Sequence, residues 1–278
     1  MNAQEFRNSF DFSKQGSLGL EEEVWLVNGG GRLAPVSLEV LQAAGSLIGL
    51  NGNWLDDSMV INDYGESILK EIKRSLFLQP ELPAQQIEIT TDICCSPKDL
   101  IDDLKEKRKR MKGIVRALGF DVLFNPAPII SRDDLHVFPK KRYLDILASY
   151  GEKVLRGFIA GLHIHYGLKS HEQAVRAMNI VSNSMMQDFA SAYSELRLSK
   201  YIALSGKDNF LPPKIESWDH YYQTMKNLGA IEDPTRCWWL VRLNPVGTIE
   251  LRIADVTENL NKVEMIASKF YNLLQNSL

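Results

Sequence analysis

Four short runs of this 278-residue chain alternate polar and apolar side chains with a period of two. Such alternation predicts β-strands, because successive side chains of a strand point to opposite faces of a sheet. The four runs cover residues 18–27, 85–93, 161–168 and 248–255, and an apolar run at 237–243 would pair with the last as a hairpin. Mainly aliphatic residues occupy one face of each run, and Glu, His or Arg residues occur on the other. The chain must therefore fold so that one face of a sheet is covered and the opposite face is polar.

Amphipathic segments between these runs predict the helices that would cover the apolar face. They lie at about 37–48, 64–77, 96–119, 171–204 (broken in two), 214–228 and 258–275. The clearest begins with Ser96 as N-cap and Pro97 in the first helical position, and Gly119 ends it. Its apolar repeat is interrupted once, by Arg108, and most of its basic residues fall on the opposite, solvated face. The sequence shows no internal repeat or linker, which predicts a single domain over residues 1–278.

Composition and charge exclude several classes of protein. The 32 Lys and Arg residues against 35 Asp and Glu residues give a net charge of −3, which offers no basic surface for nucleic acid or an anionic membrane. No stretch approaches the ~18 apolar residues that a membrane span requires, and the first residues do not resemble a signal peptide. The three cysteines indicate no disulfide framework and favour a reducing cytoplasm. Cys94 and Cys95 follow the second run, and we expect them to be packing residues.

The polar faces of the four runs carry residues that could bind metal ions and phosphate. They are four carboxylates, two imidazoles and one guanidinium: Glu21, Glu23, Glu88, Glu250, His163, His165 and Arg252. Glu21 and Glu23 would lie ~7 Å apart along one strand, a separation that suits neighbouring metal ions. Arg242, in the fifth run, is a further candidate. One acidic strand or one histidine alone would more simply be a surface or core residue, but such residues on four strands favour a common site.

The residue types in this set indicate the kind of chemistry. Carboxylates with one or two imidazoles favour Mg²⁺ or Mn²⁺ over Zn²⁺. Several such ions beside an arginine suggest phosphoryl transfer, because both neutralise charge on phosphate oxygens. No Walker A or G-x-G-x-x-G motif is present, so a nucleotide would be held by metal ions and basic side chains. We predict an α+β fold in which a curved antiparallel β-sheet has helices packed on one face and an open, metal-lined cleft on the other.

Four motifs together resemble a known family. Gly19–Val24, Gln86–Thr90, Gly161–His165 and Gly247–Asp255 occur in the order seen in bacterial glutamate–cysteine ligase-like proteins, which are carboxylate–amine ligases of the glutamine synthetase superfamily. The resemblance covers about residues 17–256. It implies an enzyme that uses ATP and Mg²⁺ (or Mn²⁺) to phosphorylate a carboxylate and lets an amine displace the phosphate. The implied partners are small molecules, an amino acid or other carboxylate plus an amine, and a homodimer is possible.

The resemblance also implies roles for individual residues. The metal ion that bridges the transferring phosphate of ATP would be held by Glu21, His163 and Glu250. A metal ion nearer the substrate carboxylate would be held by Glu23 and Glu88. Arg252 would stabilise the phosphoryl group in transfer, and it forms the catalytic pair with Glu250. Arg242, His165 and Arg142, the last together with Tyr143, resemble positions that contact nucleotide, phosphate or substrate.

Two departures from the family make the substrates harder to infer than the metal and phosphate chemistry. The segment 205–210 is not the family's usual substrate-loop sequence, and the chain ends soon after the Glu250 motif. Two alternatives stay open. His-x-His also occurs in metal-dependent amidohydrolases, although the other histidines here lie outside the strand-like runs. A non-catalytic binding or regulatory protein could retain the fold, although it would be expected to have lost some of the metal ligands.

Overall fold

The computed structural model describes residues 1–130, 136–151, 154, 158–205 and 210–278. Seven strands within these ranges form one sheet in which all paired strands are antiparallel. They are β1 (Leu18–Val27), β2 (Leu78–Pro80), β3 (Gln86–Thr90), β4 (Asp121–Leu123), β5 (Gly161–Gly167), β6 (Val241–Asn244) and β7 (Thr248–Asp255). The strand order is β2-β3-β1-β5-β7-β6, and the short strand β4 pairs with β1. The first and fourth predicted strands match β1 and β7, and β5 ends one residue before the third. The second is shorter than predicted, since β3 covers only Gln86–Thr90, and the hairpin partner β6 begins at Val241, four residues later than predicted.

The helices are named in chain order. They are α1 (Ala3–Asn8), α2 (Ser37–Leu47), α3 (Asp63–Leu76), α4 (Pro97–Ala117), α5 (Lys141–Tyr150), α6 (His171–Asp188), α7 (Glu195–Ser205), α8 (Trp218–Asn227) and α9 (Leu260–Ser277). The predicted N-cap of α4 is confirmed, since Ser96 Oγ accepts from the Asp99 N–H at 3.2 Å. The long segment 171–204 is broken in two, as predicted, by a 3₁₀ turn at Ala190–Ala192. Helix α1 and strands β2 and β4 were not predicted, because they are too short to show a clear period, and helix α5 was not predicted either.

The apolar face of the sheet lies on the side away from the cleft. Its predicted residues Val24, Ile89, Ile164 and Leu251 are all fully buried. Helices α4, α6 and α9 pack against this face. Helices α3, α5 and α7 instead contribute side chains to the polar face, so helices also surround the cleft. The predicted α+β architecture with a covered face and an open face is thus confirmed, with additional helices at the rim. Within the described residues, no helix is long and apolar enough to cross a bilayer.

The segment 11–17 crosses the ends of β5 and β7, and its backbone lies against two glycines there. An ideal Cβ on Gly167 would lie 1.7 Å from the carbonyl oxygen of Lys14. An ideal Cβ on Gly247, where φ is +80°, would lie 1.7 Å from the carbonyl oxygen of Asp11. Both distances are far below van der Waals contact, so the backbone of this segment takes the space that a side chain would need.

Candidate metal and phosphate site

A cleft of about 800 Å³ lies over the polar face of the sheet. The strand register brings the predicted residues together as cross-strand neighbours. Glu21 lies opposite His163, and Glu23 lies opposite Glu88. His165 of β5 lies opposite Glu250 of β7, which in turn faces Arg242 of β6. Six of the seven front-face residues named from the sequence therefore share one region with Arg242, and the seventh, Arg252, lines the same cleft.

Three side chains form a first cluster of potential metal ligands, named the first carboxylate group: Glu21, His165 and Glu250. Their potential ligand atoms all lie within 4.8 Å of one another. The His165 Nε2 atom is 3.6 Å from Glu21 Oε1. The other ring nitrogen, Nδ1, lies 2.8 Å from the Thr248 hydroxyl oxygen, and this contact fixes the orientation of the imidazole. His165 is therefore a direct member of the group, beside His163, which the family resemblance implies at this position.

The second carboxylate group consists of Glu23, Glu81 and Glu88, whose potential ligand atoms also lie within 4.8 Å of one another. Glu81 was not identified from the sequence, since it follows the short strand β2. In the structure, Gln79 lies opposite Glu88 in the ladder, and Glu81 follows two residues later. The Gln79 side-chain amide donates a hydrogen bond to the Glu88 carboxylate.

His163 lies between the two groups. Its Nδ1 atom is 3.5 Å from Glu21 Oε2 and 3.9 Å from Glu250 Oε1, and its Nε2 atom is 3.8 Å from Glu23 Oε1. Within the described residues, His163 Nδ1 and His165 Nε2 are buried and have no hydrogen-bond partner. Buried ring nitrogens facing carboxylates at this separation are typical of ligands arranged around a cation. The donor set of carboxylates and imidazoles fits a hard divalent ion such as Mg²⁺ or Mn²⁺.

The two groups differ in their protonation. Burial opposes the ionisation of Glu250, but the guanidinium groups of Arg242 and Arg252 outweigh it and hold the pKa of Glu250 far below its usual range. Burial likewise opposes ionisation of Glu21, yet the neighbouring imidazoles hold its pKa low. In the second group, burial and the nearby carboxylates raise the pKa of Glu88 well above its usual value. These shifts favour the anionic form of the first group and oppose ionisation in the second.

Both candidate arginines of β6 and β7 contact Glu250. Arg242 donates from Nε to Glu250 Oε2 at 2.8 Å and from Nη1 to the carbonyl oxygen of Thr235 at 2.6 Å. Arg252 donates from Nη1 to Glu250 and from Nε to the Tyr201 hydroxyl oxygen at 3.4 Å. The side chain of Arg252 remains 14% exposed and lines the cleft. Arg252 is therefore ion-paired with Glu250 and still borders a face that remains open.

Arg142 lies at the rim and makes different contacts from the other candidates. It is in α5, where it donates to the Thr235 hydroxyl oxygen at 2.9 Å and to Asp233 at 3.4 Å. The next residue, Tyr143, donates its hydroxyl proton to the carbonyl oxygen of Pro80 at 2.8 Å. Helix α5 therefore bridges the cleft from β2 at one edge of the sheet to the segment before β6 at the other. Residues 206–209 of the unusual loop lie outside the described residues.

Solved structures of ligases share this fold. A glutamate–cysteine ligase from Francisella tularensis in complex with AMP superposes with a TM-score of 0.59 at 12% identity, covering 96% of this chain and 68% of the other. A bifunctional glutathione synthetase from Pasteurella multocida gives a TM-score of 0.54 at 13% identity, covering 97% of this chain and 39% of the other. At these identities the likeness defines the class of fold.

The family follows from the sequence. The profile of glutamate–cysteine ligase family 2 matches residues 17–278, and the chain belongs to this family. A Rhodococcus jostii relative named "Putative glutamate--cysteine ligase 2-1" is 28% identical over 257 residues, covering 86% of this chain and 62% of the relative. A Thermobifida fusca relative named "Putative glutamate--cysteine ligase 2" is 23% identical over 282 residues, covering 96% and 65%. The chain thus spans roughly three fifths of the length of these curated relatives.

Proposed function

We propose that this chain is a carboxylate–amine ligase that uses ATP with Mg²⁺ or Mn²⁺ and forms an amide bond through an acyl-phosphate. The observation that carries the proposal is the pair of carboxylate groups joined by His163 in one cleft. Family membership supports the ligase class. The AMP bound to the Francisella tularensis ligase supports an adenine nucleotide as one substrate. The cleft volume of about 800 Å³ is within the range of pockets that bind small molecules.

The two clusters of side chains would each hold one metal ion. Glu21, Glu250 and the two imidazoles would hold one metal ion, and Glu23, Glu81 and Glu88 would hold another. Bound Mg²⁺ or Mn²⁺ would neutralise charge on the phosphate oxygens and polarise the phosphorus that the carboxylate attacks. The low pKa of Glu250 keeps it anionic for this purpose at neutral pH.

Arg252 is the group that we assign to the phosphoryl group in transfer. Its planar fork carries more donors than the contacts to Glu250 and Tyr201 use, and it stays charged at all relevant pH values. Arg242 orients Glu250 from the other side and supports its charge. Arg142 holds α5 over the cleft and would limit the space for the carboxylate or the amine. The cytoplasmic location, the single domain and the possible homodimer stay predictions.

The test is a phosphate-release screen with Mg²⁺ and ATP across amino acids and amines. The proposal expects release only when ATP, the divalent ion, a carboxylate and an amine are all present, with one amide formed per phosphate. Metal-dependent hydrolysis of an amide without ATP would instead identify an amidohydrolase. Nucleotide or metal binding without turnover of any pair would identify a non-catalytic binding protein.

A further inference from the structure

The ladder between β5 and β7 is irregular at one point. The pairing shifts between Leu162 and Ile164 of β5, whose partners in β7 are three positions apart. One residue of β5, His163, therefore lies opposite two residues of β7, Arg252 and Ile253. This two-for-one pairing defines a β-bulge, a feature that redirects side chains and occurs often beside active sites. Here it coincides with a candidate metal ligand and the candidate phosphate-binding arginine.

A buried arginine outside the sheet satisfies the backbone of this bulge. Arg197 of α7 donates from Nη1 to the carbonyl oxygen of Ile253 at 2.9 Å and from Nη2 to that of Arg252 at 3.1 Å. Its Nε donates to the carbonyl oxygen of Ala160, just before β5, at 3.0 Å. A bulge removes backbone groups from regular pairing, and buried carbonyl groups need other donors. One guanidinium thus satisfies both residues of the bulge and ties them to the start of β5.

The surrounding packing leaves room for this guanidinium and little else. Arg197 is only 1% exposed. An ideal Cβ on Gly161 would lie 2.4 Å from Arg197 Nη2 and 2.8 Å from His163 Nε2, so a glycine is needed beside it. The N–H of Gly161 also donates to Glu23 Oε2 at 2.6 Å. The bulge, the arginine and two candidate metal ligands therefore form one packed unit.

We infer that Arg197 is a positioning residue, which holds the bulge in β7 and thereby sets the direction of the Arg252 guanidinium towards the cleft. Three carbonyl groups in different directions match the flat, forked guanidinium, whereas a lysine ammonium could not reach all three. The kinetic consequence rests on the proposed function. The geometric consequence, the register of β7, does not.

The experiment compares Arg197→Met and Arg197→Lys in the full chain with Arg176→Met. Arg176 is a matched control, because it also donates to a backbone carbonyl, that of Ser277 at 3.0 Å, but at the surface of α6. We expect Arg197→Met to lower kcat about 10- to 100-fold with nucleotide affinity little changed, Arg197→Lys to retain more activity, and Arg176→Met to match the natural protein.

A double-mutant cycle with Arg252→Lys separates positioning from general support of the fold. If Arg197 acts through Arg252, Arg197→Met should cost less than about threefold in the Arg252→Lys background, since the group to be aimed has already been changed. An equal loss in both backgrounds would overturn the inference.

A crystal structure of Arg197→Met, or of Arg197→Lys should the first variant fail to fold, gives a readout that does not depend on turnover. The inference expects the β5–β7 register to change or the contact between Arg252 and the Tyr201 hydroxyl to be lost. An unchanged bulge with Arg252 in place would refute it. Should the natural protein turn over no substrate pair, the proposed function fails while this structural result still decides the role of Arg197.

Discussion

Three consecutive glutamates of β1 lie in two contrasting environments. Glu22 points to the back of the sheet and is fully buried against Arg108 of α4, which donates to both of its carboxylate oxygens. The same guanidinium also donates to the carbonyl oxygens of residues 257 and 258 at 2.6 and 2.9 Å. Glu21 and Glu23 point to the cleft, where the nearest imidazole nitrogens lie 3.5 and 3.8 Å away.

The contrast shows how to distinguish a structural carboxylate from a functional one among identical neighbours. Glu22 accepts hydrogen bonds from Arg108 on both carboxylate oxygens, so this pair has no remaining capacity for a ligand. The front carboxylates are held near imidazoles without complete hydrogen bonds, which leaves them free to bind a cation. A shift of one residue would exchange the two faces. Arg108 therefore also selects which glutamate of the three is buried.

The largest effect should come from removing a front carboxylate. Glu21→Gln should lower metal- and ATP-dependent turnover by on the order of 10³-fold or more, because a ligand of a metal ion that supplies several kcal/mol of charge stabilisation is lost. The free energy of unfolding should fall modestly, because the neighbouring imidazoles stabilise the Glu21 carboxylate in the folded state. Turnover and urea unfolding measure the two effects. Glu172→Gln, at an exposed carboxylate, is the control, and turnover within tenfold of the natural protein would contradict the metal assignment.

The back of the sheet should respond in the opposite way. Arg108→Met should reduce the free energy of unfolding by about 3–5 kcal/mol, because Glu22 is left buried and unpaired. The folded fraction should keep its turnover. Urea denaturation monitored by tryptophan fluorescence measures the change.

Two further variants serve as controls for that prediction. The double variant Glu22→Leu with Arg108→Met should recover most of the stability, because it replaces the whole ion pair by apolar groups. Arg116→Met, which removes an exposed ion pair to Asp121 at 3.3 Å, should cost under about 1 kcal/mol. Equal losses for Arg108→Met and Arg116→Met would mean that the buried pair does not stabilise the fold.

Arg252 tests the front face without removing a metal ligand. Arg252→Lys should lower kcat by roughly two to three orders of magnitude with ATP binding little changed, since the lysine ammonium cannot contact two phosphate oxygens as the guanidinium fork does. Steady-state kinetics and nucleotide titration give the two quantities. A variant that loses stability while its folded fraction turns over normally would show that the contact with Glu250 is purely structural.

The smallest effect concerns pH. The raised pKa of Glu88 means that the folded, metal-free protein favours its protonated form, so this stabilisation is present at low pH and is lost as pH rises through the folded pKa. The urea concentration at the midpoint of unfolding, measured without divalent ions, should therefore fall as pH rises above about 5. Mg²⁺ should restore it and release protons on binding, which calorimetry in two buffers detects. Glu88→Gln should reduce the pH dependence of the unfolding midpoint. An unaltered pH profile in this variant would argue against Glu88 as the group that titrates.

Much of this arrangement could be predicted from the sequence because strand alternation is a local signal. The two exceptions to the apolar patterns, Glu22 in the first strand and Arg108 in the helix, turn out to be partners. A charged residue that interrupts the apolar pattern of one element can thus indicate an ion pair with a charged residue that interrupts the pattern of another element. The front residues also converge as the shared strand phase predicts.

The remaining features depend on tertiary structure. Glu81 follows a three-residue strand, which is too short to give a period. Arg197 occupies one position of an ordinary helix, and its role arises only where the ladder is irregular. The orientation of the His165 ring towards the first carboxylate group also depends on tertiary structure, because the contact with the Thr248 hydroxyl fixes it.

Gly167 and Gly247 have a consequence for mutational scanning. Any missense change at either position adds a side chain where the backbone of the segment 11–17 already lies. In a survey of all single variants scored by growth or product, both positions should look as intolerant as Glu21, although neither supplies a ligand or a charge. Scoring cellular abundance alongside activity would separate them, because the glycine variants should be lost from the cell whereas Glu21 variants should accumulate normally.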